Sequence, residues 1–503
     1  MNFQKTIRKK ENDNMLYIGV DLGTSAVKLV LMNEEGEIRN SASKSYPLSF
    51  PKTGWSEQNP EDWISGIKEG LKELLKDEKV EDVDGISFGG QMHGLVILDE
   101  NDKVLRPAIL WNDGRTGEEC EYLNNTIGRE KIAALTGNMA FTGFTAPKLL
   151  WVKKHEPEIF DKIAKIMLPK DYVAYKLSGV HCTDASDASG MLLYDVKNRK
   201  WSDEMIDIVG IKKEQLAKVF ESYEVVGNVS AKASEEFGLP TSVKVIAGAG
   251  DNAAGAVGTG TTSNGMCSVS IGTSGTVFIS TDDFAMDPTN SMHSFAHSNG
   301  KYHFLGCMLS AASCNKWWMD DIVNDKDYSG ELKGVKEYGK NKVFFLPYLM
   351  GERTPHNNPN ARGAFIGMSM DTTKQDMTQA LIEGVTFGLR DSIEIARELG
   401  VKIDRVRAIG GGAKNPEWCR ILADVMNVKV DKINCEEGPG FGACILAAVG
   451  CGKFASVEEA GAKLIKVTQT IEQIPEEVEL YEKKYRQWKK MYPALKDIYD
   501  EIV

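Results

Sequence analysis

Asp251 and Asn252, in "VKVIAGAGDNAAGAVG", have the placement best suited to chemistry in this sequence. An apolar strand gives way there to a helix of Ala, Gly and Val, whose small side chains allow close packing and a rigidly held Asp251. A carboxylate at a helix N-terminus is stabilised as the anion, which suits a proton acceptor better than a proton donor. The plainer alternative is an aspartate that only caps its helix. A second stretch, "SFGGQMHGLVIL", sets Met92 and His93 between a glycine pair and Gly94. The glycines leave His93 little to pack against, so it is placed to hydrogen-bond a sugar hydroxyl or carbonyl, with Met92 as an apolar wall. A structural histidine is the alternative, and a metal ligand is not supported, because no partner has ligand spacing. Trp55 in "GWSEQNP" and Trp111 in "WNDGR" lie outside the periodic elements. Indoles stack on the apolar faces of sugars, against the alternative of ordinary packing.

A phosphate chemistry is written in a repeat. "VDLGTSAVKLVL" and "VSIGTSGTVFIS" align without a gap, matching Val20 with Val269, Gly23-Thr24-Ser25 with Gly272-Thr273-Ser274, and Leu29 with Phe278. A glycine turn between two strands lets successive backbone N–H groups face one anion, and neighbouring hydroxyls add donors. Two such turns suit the two sides of a triphosphate. Asp21 in the first copy corresponds to Ser270 in the second, and a carboxylate beside a phosphate nest suits Mg²⁺, usually through its waters. Asp251 is the other candidate metal carboxylate. An aspartate capping its own turn is the alternative for Asp21. Lys28 either reaches the phosphates as a point charge or is an exposed strand lysine. In "AIGGGAKNPEWCRILADVMN" the run Gly410 to Gly412 permits the flat approach an adenine or ribose needs. Asn415 and Pro416 then cap a helix with Trp418, Ile421, Leu422 and Val425 on one face. Neither GxxxxGK[ST] nor GxGxxG occurs. Phosphoryl transfer needs little more than donors for the phosphates and a carboxylate to orient the attacking hydroxyl.

Strands alternating with helices position these residues, which predicts an α/β chain. "PEDWISGIKEGLKELLKD" reads as an amphipathic helix with Trp63, Ile67, Leu71 and Leu74 on one face. With 503 residues the chain exceeds one ordinary core, and the repeat predicts two related domains. The expected division is a disordered leader over 1–14, domains over 15–260 and 261–455, and a helical tail over 456–503 whose charge run is a solvated face. The net charge of -12 argues against nucleic acid or an anionic membrane as partner. The leader's "KTIRKKE" is a local basic exception and lacks the form of a signal peptide. No apolar segment reaches the roughly 20 residues needed to span a bilayer, and "ACILAAVGC" suits a buried helix. Nine cysteines without CxxC spacing point to reduced thiols in the cytoplasm.

Together these residues resemble the FGGY carbohydrate kinases. "GFTAPKLLWVKKH", Gly143 to His155, resembles the family's first signature, and "GAFIGMSMDTTKQDMTQALIEG", Gly363 to Gly384, its second. "SFGGQMHGLV", "ILWNDGRT", "LPKDYVAYKLSG", "SDASG", "GAGDNAAGAVG", "SIGTSGTVF" and "LPYLMGERTPHNNPNARG" are similar to members acting on D-xylulose. The resemblance runs from about Met15 into the 450s. It implies two duplicated ribonuclease-H-like domains, the actin, hexokinase and Hsp70-like architecture, around a central cleft that closes to exclude water. It implies Asp251 as proton acceptor, Asp21 on the Mg²⁺ side, and Met92, His93 and Asn252 at the sugar. Gly272-Thr273 and Gly411-Gly412 become phosphate and adenosine loops. "DLGTSAVK" also resembles actin's first phosphate loop, which supports Lys28. Relatives specific for glycerol have Arg-Glu where this chain has Met92-His93, so a ketopentose is favoured. The implied reaction is ATP-dependent phosphorylation of D-xylulose to its 5-phosphate with Mg²⁺. A sibling acting on gluconate, ribulose or another polyol is the alternative, and an actin-like ATP-driven switch is a more distant one. The oligomeric state is not given, and a homodimer is left open.

Overall fold

The computed structural model describes residues 15–328, 332, 338–435 and 437–502; the expected leader over 1–14 lies outside them. The described chain forms two compact units. Unit 1 takes residues up to 262 together with 294–302 and 437–465; unit 2 takes 263–293, 303–436 and 466 onward. Membership thus passes between the units several times, where a single cut near 260 was expected.

In unit 1 the alternating apolar run from Leu16 forms β1 (Leu16–Leu22), which turns through Gly23-Thr24-Ser25 into antiparallel β2 (Ala26–Asn33). β3 (Ile38–Ser45) flanks β2. β4 (Val83–Gly90) lies parallel to β1, followed across the sheet by β5 (Val225–Asn228) and β6 (Lys244–Ile246) in the order β5-β6-β4-β1-β2-β3. A short β7 (Ala249–Gly250) also runs parallel to β4. The helix α1 (Pro60–Leu74) starts where Asn59 accepts the Glu61 N–H at 3.2 Å, with Pro60 in the first turn. Trp63, Ile67, Leu71 and Leu74 are all buried, as their spacing predicts. Each contributes about 1.5–3 kcal/mol relative to exposure. Gly66 and Gly70 of α1 lie directly on Val27 and Leu29 of β2.

The helix Gly438–Gly450 contains the predicted buried "ACILAAVG" and packs against both β1 and α2 (Asp251–Gly258). The approach requires glycine. A Cβ at Gly442 would lie 1.8 Å from the Ala254 carbonyl oxygen, and one at Gly19 would lie 2.0 Å from that of Gly440.

Unit 2 repeats the design. β8 (Cys267–Ile271) turns through Gly272-Thr273-Ser274 into antiparallel β9 (Gly275–Thr281). Its strands β10 (Tyr302–Met308), β11 (Arg405–Ile409), β12 (Lys429–Ile433) and β13 (Val467–Ile471) lie in the order β10-β9-β8-β11-β12-β13, six of the seven strands of this sheet. β8 and β11 are parallel, as are β11 and β12, and β13 closes the edge antiparallel to β12. This is the unit 1 order β3-β2-β1-β4-β6-β5 strand for strand, so the Gly-Thr-Ser repeat marks a duplication of the sheet. Its core holds α3 (Lys374–Glu398), opened by a Thr373–Asp376 capping box, and α4 (Pro416–Met426).

The C-terminal segment corrects an expectation. It carries β13 as well as helices, and α5 (Pro475–Trp488) is not simply a solvated charged helix. Tyr481, Tyr485, Lys484 and Trp488 are buried on unit 2. The Lys484 ammonium pairs with Glu383, Tyr481 donates to Glu383 at 3.0 Å, and Trp488 Nε1 donates to the Phe345 carbonyl at 2.8 Å. Charge composition concealed this face because its one buried cation is neutralised by a carboxylate elsewhere in the chain. No helix among the described residues is long and apolar enough to cross a membrane. All nine cysteines are free thiols.

Candidate active site

Three parallel strands of unit 1 end side by side. The register sets Asp21 beside Gly89, Leu22 beside Gly90, and Gly90 beside Gly250. Asp21, the Met92–His93 loop and Asp251–Asn252 therefore leave the sheet at one edge. The carboxyl ends of parallel strands are where open α/β sheets bind ligands. Asp21 and Lys28 are directly opposed across the β1–β2 pair and so share a face. Lys28 is engaged in an ion pair with Glu437. The Gly23 N–H closes its own hairpin onto the Ala26 carbonyl at 3.1 Å, so this donor is spent within the turn.

Asp251 is surrounded by dense packing yet keeps part of its surface open. Both donors of Asn252 converge on one oxygen: the backbone N–H reaches Asp251 Oδ1 at 2.7 Å and the side-chain amide at 2.9 Å. Burial pushes the Asp251 carboxyl up to about 6, against the lowering effect of these two hydrogen bonds. The helix terminus was expected to favour the anion. Desolvation outweighs it, but the group is still mostly ionised at neutral pH. Asp21 is pushed up to about 7, first by burial and then by the Asp251 charge, with Lys28 opposing. Asp251 thus ionises first and Asp21 second, against its neighbour.

Met92 is buried against Gly250, where a Cβ would sit 2.8 Å from Met92 Cγ. His93 occupies a left-handed backbone conformation (φ 68°). Its Nδ1 lies 2.9 Å from the Gly190 carbonyl. A carbonyl only accepts, so Nδ1 carries a proton. The expectation that His93 lacks packing partners is corrected. Its ring lies 4.6 Å from that of Phe144 and 6.2 Å from that of Phe295, both remote in sequence and so invisible to a local reading. The His93 carbonyl accepts from Thr145 Oγ1 at 3.1 Å and from Lys148 Nζ at 2.8 Å. Both donors belong to the first signature.

The two tryptophans divide. Trp111, 43% exposed, donates from Nε1 to Thr24 Oγ1 at 2.9 Å. Thr24 continues to Gln91 at 3.2 Å, Gln91 to Gln58 at 3.1 Å, and Gln58 returns to the Thr24 carbonyl at 2.6 Å. This closed network ties the first Gly-Thr-Ser turn to the residue before Met92. Trp55 instead lies under the Arg115 guanidinium at 3.8 Å and the Lys52 ammonium at 4.5 Å, with the Trp151 edge 5.3 Å away. Its ring already serves as a cation platform.

In unit 2 the structure gathers Gly272, Thr273, Gly411, Gly412 and Asn415 around one cavity of about 690 Å³. The carbonyls of Gly272 and Thr273 accept from the N–H groups of Ala312 and Ala311 at 2.8 and 3.0 Å, which fixes the second turn. The three glycines have separate reasons. Gly410 needs its positive φ of 86°. A Cβ at Gly412 would meet Ile271 Cγ2 at 2.5 Å, whereas one at Gly411 would meet nothing within 4 Å. Asn415 caps α4 by accepting from Glu417 N at 3.0 Å. Ala312, Ser313, Lys316, Tyr328 and Trp418 also line the cavity. Sequence reading missed the first four, although the small-residue run "SAASC" before a helix signals a close approach. In unit 1 it missed the buried Lys170, Asp184, Ser186 and Asp187. Charged residues in "LPKDY" and "SDASG", among apolar neighbours, were the available signal.

The N-terminal domain of the FGGY family of carbohydrate kinases matches residues 16–258, and the family's C-terminal domain matches residues 267–451. A "Xylulose kinase" of Bacillus subtilis is 40% identical over 96% of this chain and 97% of its own length. One from Escherichia coli is 40% identical over 88% and 92%. Among solved structures, a "xyloylose kinase" from Brucella ovis has a TM-score of 0.90 and 36% identity, covering 96% of this chain and all of that one. With both domains matched and relatives aligned nearly end to end, this chain belongs to the FGGY family of carbohydrate kinases.

Proposed function

We propose that the chain transfers the γ-phosphoryl group of ATP to D-xylulose, giving D-xylulose 5-phosphate and ADP. Membership of a kinase family makes ATP the phosphoryl donor. The observation that carries the sugar assignment is the shared strand edge that presents Asp21, Met92–His93 and Asp251–Asn252 together. The Bacillus subtilis and Escherichia coli relatives, both xylulose kinases, agree with it. Asn252 occupies Oδ1 of Asp251, which leaves Oδ2 to receive the sugar hydroxyl. In the step, the sugar oxygen bonds to the γ-phosphorus, the bond from that phosphorus to the β,γ-bridging oxygen breaks, and the hydroxyl proton passes late to Asp251. His93, through Nε2, hydrogen-bonds a second hydroxyl, and Met92 forms an apolar wall. Trp111 presents an indole face beside Thr24. Trp55, covered by Arg115 and Lys52, contributes through packing.

On the nucleotide side, Gly272-Thr273, Gly411-Gly412 and Asn415 line the cavity for ATP, whose phosphates also engage Thr24 and Ser25 of the turn that Gly23 closes. Lys28 adds charge from its pair with Glu437. Two neighbouring buried carboxylates, one of them raised by the charge of the other, suit a divalent cation. Oxygen donors few in number suit Mg²⁺, which keeps water and phosphate ligands. Asp21 and Asp251 would hold it, and it would neutralise charge on the phosphates. We place the reaction in the cytoplasm, where ATP is made available to such enzymes and free thiols persist.

A panel of sugars in a coupled ADP-release assay tests the reading. The expected result is the highest kcat/KM with D-xylulose. A higher value with gluconate, ribulose or glycerol would overturn the pentulose assignment.

A further inference from the structure

The segment Asp184 to Gly190 does no chemistry in the reaction above, yet it touches both loops that do. Lys170 is wholly buried, and its ammonium bridges Asp171 Oδ1 at 2.7 Å and Asp184 Oδ1 at 2.8 Å. The other oxygen of Asp184 accepts from the Ser186 N–H at 2.8 Å, the Ser186 hydroxyl at 2.5 Å and the Ser222 hydroxyl at 2.7 Å. Ser186 Oγ, having donated its proton to Asp184, accepts from the Gly250 N–H at 3.1 Å. Gly250 immediately precedes Asp251 and is pressed from its other side by Met92. Four residues further along, the Gly190 carbonyl accepts from His93 Nδ1.

Direction matters in this chain of bonds. A hydroxyl with one proton accepts well from an amide only if that proton is committed elsewhere. Asp184 commits it through Oδ2, while its Oδ1 faces the Lys170 ammonium at 2.8 Å. The third nearby carboxylate, Asp187, stands 3.8 Å from Lys170, and neither of its oxygens has a hydrogen-bond partner. It is therefore no rival for the ammonium. The path Lys170–Asp184–Ser186–Gly250 is buried and oriented throughout, and it ends on the peptide that sets the start of α2.

We propose that Lys170, Asp184 and Ser186 are positioning residues for Asp251, holding the Gly250 N–H so that the acceptor carboxylate meets the sugar hydroxyl in reacting geometry. The inference rests on the reading of Asp251 as proton acceptor. Displacing a reacting group by about 1 Å can cost about 100-fold in rate, so the effect belongs in kcat rather than in binding.

Ser222 supplies an internal control. Its hydroxyl bonds the same Asp184 oxygen, and its contact toward α2 is made by its backbone carbonyl, which accepts from Gly248 N at 3.0 Å and survives substitution by alanine. Ser186→Ala and Ser222→Ala thus remove equivalent buried hydroxyls and differ in the bond to Gly250. With D-xylulose and ATP, Ser186→Ala is expected to lower kcat about 10- to 100-fold with both KM values within about twofold. Ser222→Ala is expected to keep kcat within about twofold, with a similar loss of Tm. Ser186→Thr, which keeps the hydroxyl, is expected to recover most of kcat. If Ser186→Ala does not fold, Ser186→Cys replaces it with the same expectation, because a thiol is a weak acceptor. Equal kcat losses in the Ser186 and Ser222 variants, or wild-type kcat in Ser186→Ala, would overturn the proposal. Asp251→Ala separates the two readings. An inactive Asp251→Ala beside a fully active Ser186→Ala removes the positioning role alone, and an active Asp251→Ala removes both.

Discussion

The two Gly-Thr-Ser hairpins share sequence, strand order and neighbouring parallel strand, and they end in different chemistry. In unit 1, β1 delivers Asp21 to an edge shared with Asp251, where burial raises both carboxyls and the Asp251 charge raises Asp21 further. In unit 2, β8 delivers Ser270, and the turn beyond it opens onto a large cavity lined by small residues, two aromatics and Lys316 and Lys414. The turn itself is thus a neutral device for presenting backbone. What differs is the end of the neighbouring strand: β4 and β7 lead into Met92–His93 and Asp251, while β11 leads into three glycines. The duplicated frame specifies where a ligand sits, and a few side chains at the strand ends specify what is done to it.

The largest expected effect comes from removing the proposed proton acceptor at the unit 1 strand edge. Asp251→Ala should lower kcat with D-xylulose by about 100- to 10,000-fold, while sugar and ATP binding measured by calorimetry stay near wild type. Turnover at the normal rate would erase the contrast between the units. Giving the first hairpin the second's residue, Asp21→Ser, is a milder version. A loss of about 10- to 100-fold in kcat is expected, the scale on which one preorganised electrostatic contact operates. Unchanged kcat would mean that Asp21 merely completes its turn.

The same pair predicts a pH profile. The acceptor must be ionised, and its carboxyl is raised, so activity is lost as pH falls through about 6. For a group titrating near 6, the ionised fraction rises about tenfold between pH 5 and pH 7. Asp21 ionises later, near 7, so kcat/KM should keep rising slightly above neutrality in the wild type. In Asp21→Ser that upper rise should vanish while the limb near 6 stays, because Asp21 is already neutral when Asp251 titrates. A limb near 4 in either protein would contradict the buried, repelled arrangement.

Sequence conveyed the parts of this comparison that are local. The two Gly-Thr-Ser turns and the capped starts of α1 and α4 are each short-range patterns, and the repeat with its Asp21 and Ser270 difference appears once two such stretches are laid side by side. The glycines around Asp251 likewise announced close packing, though not its partner, the helix from Gly438, nearly 200 residues later. What escaped reading depends on distant pairing. Phe144 and Phe295 under His93, Arg115 over Trp55, and Glu383 against Lys484 join segments that composition cannot connect. The Lys170–Asp184–Ser186 chain was illegible for the same reason: a buried ion pair resembles surface charge until the fold shows what neutralises it.

The smallest effect offers the sharpest test of the unit 2 half. Gly411 and Gly412 are adjacent in sequence and both line the cavity, but only Gly412 is crowded. Gly411→Ala adds a methyl to open space where the nucleotide is placed, so KM for ATP should rise about tenfold, the effect of one methyl-sized misfit in a pocket, with Tm unchanged. Gly412→Ala drives a Cβ to 2.5 Å from Ile271 Cγ2. That overpacking costs about 1–3 kcal/mol, so Tm should fall by several degrees with a smaller change in KM. The opposite pairing of effects, stability lost at 411 and affinity at 412, would mean that the nucleotide does not lie over the glycine turn, and the functional contrast between the two hairpins would need a different nucleotide position.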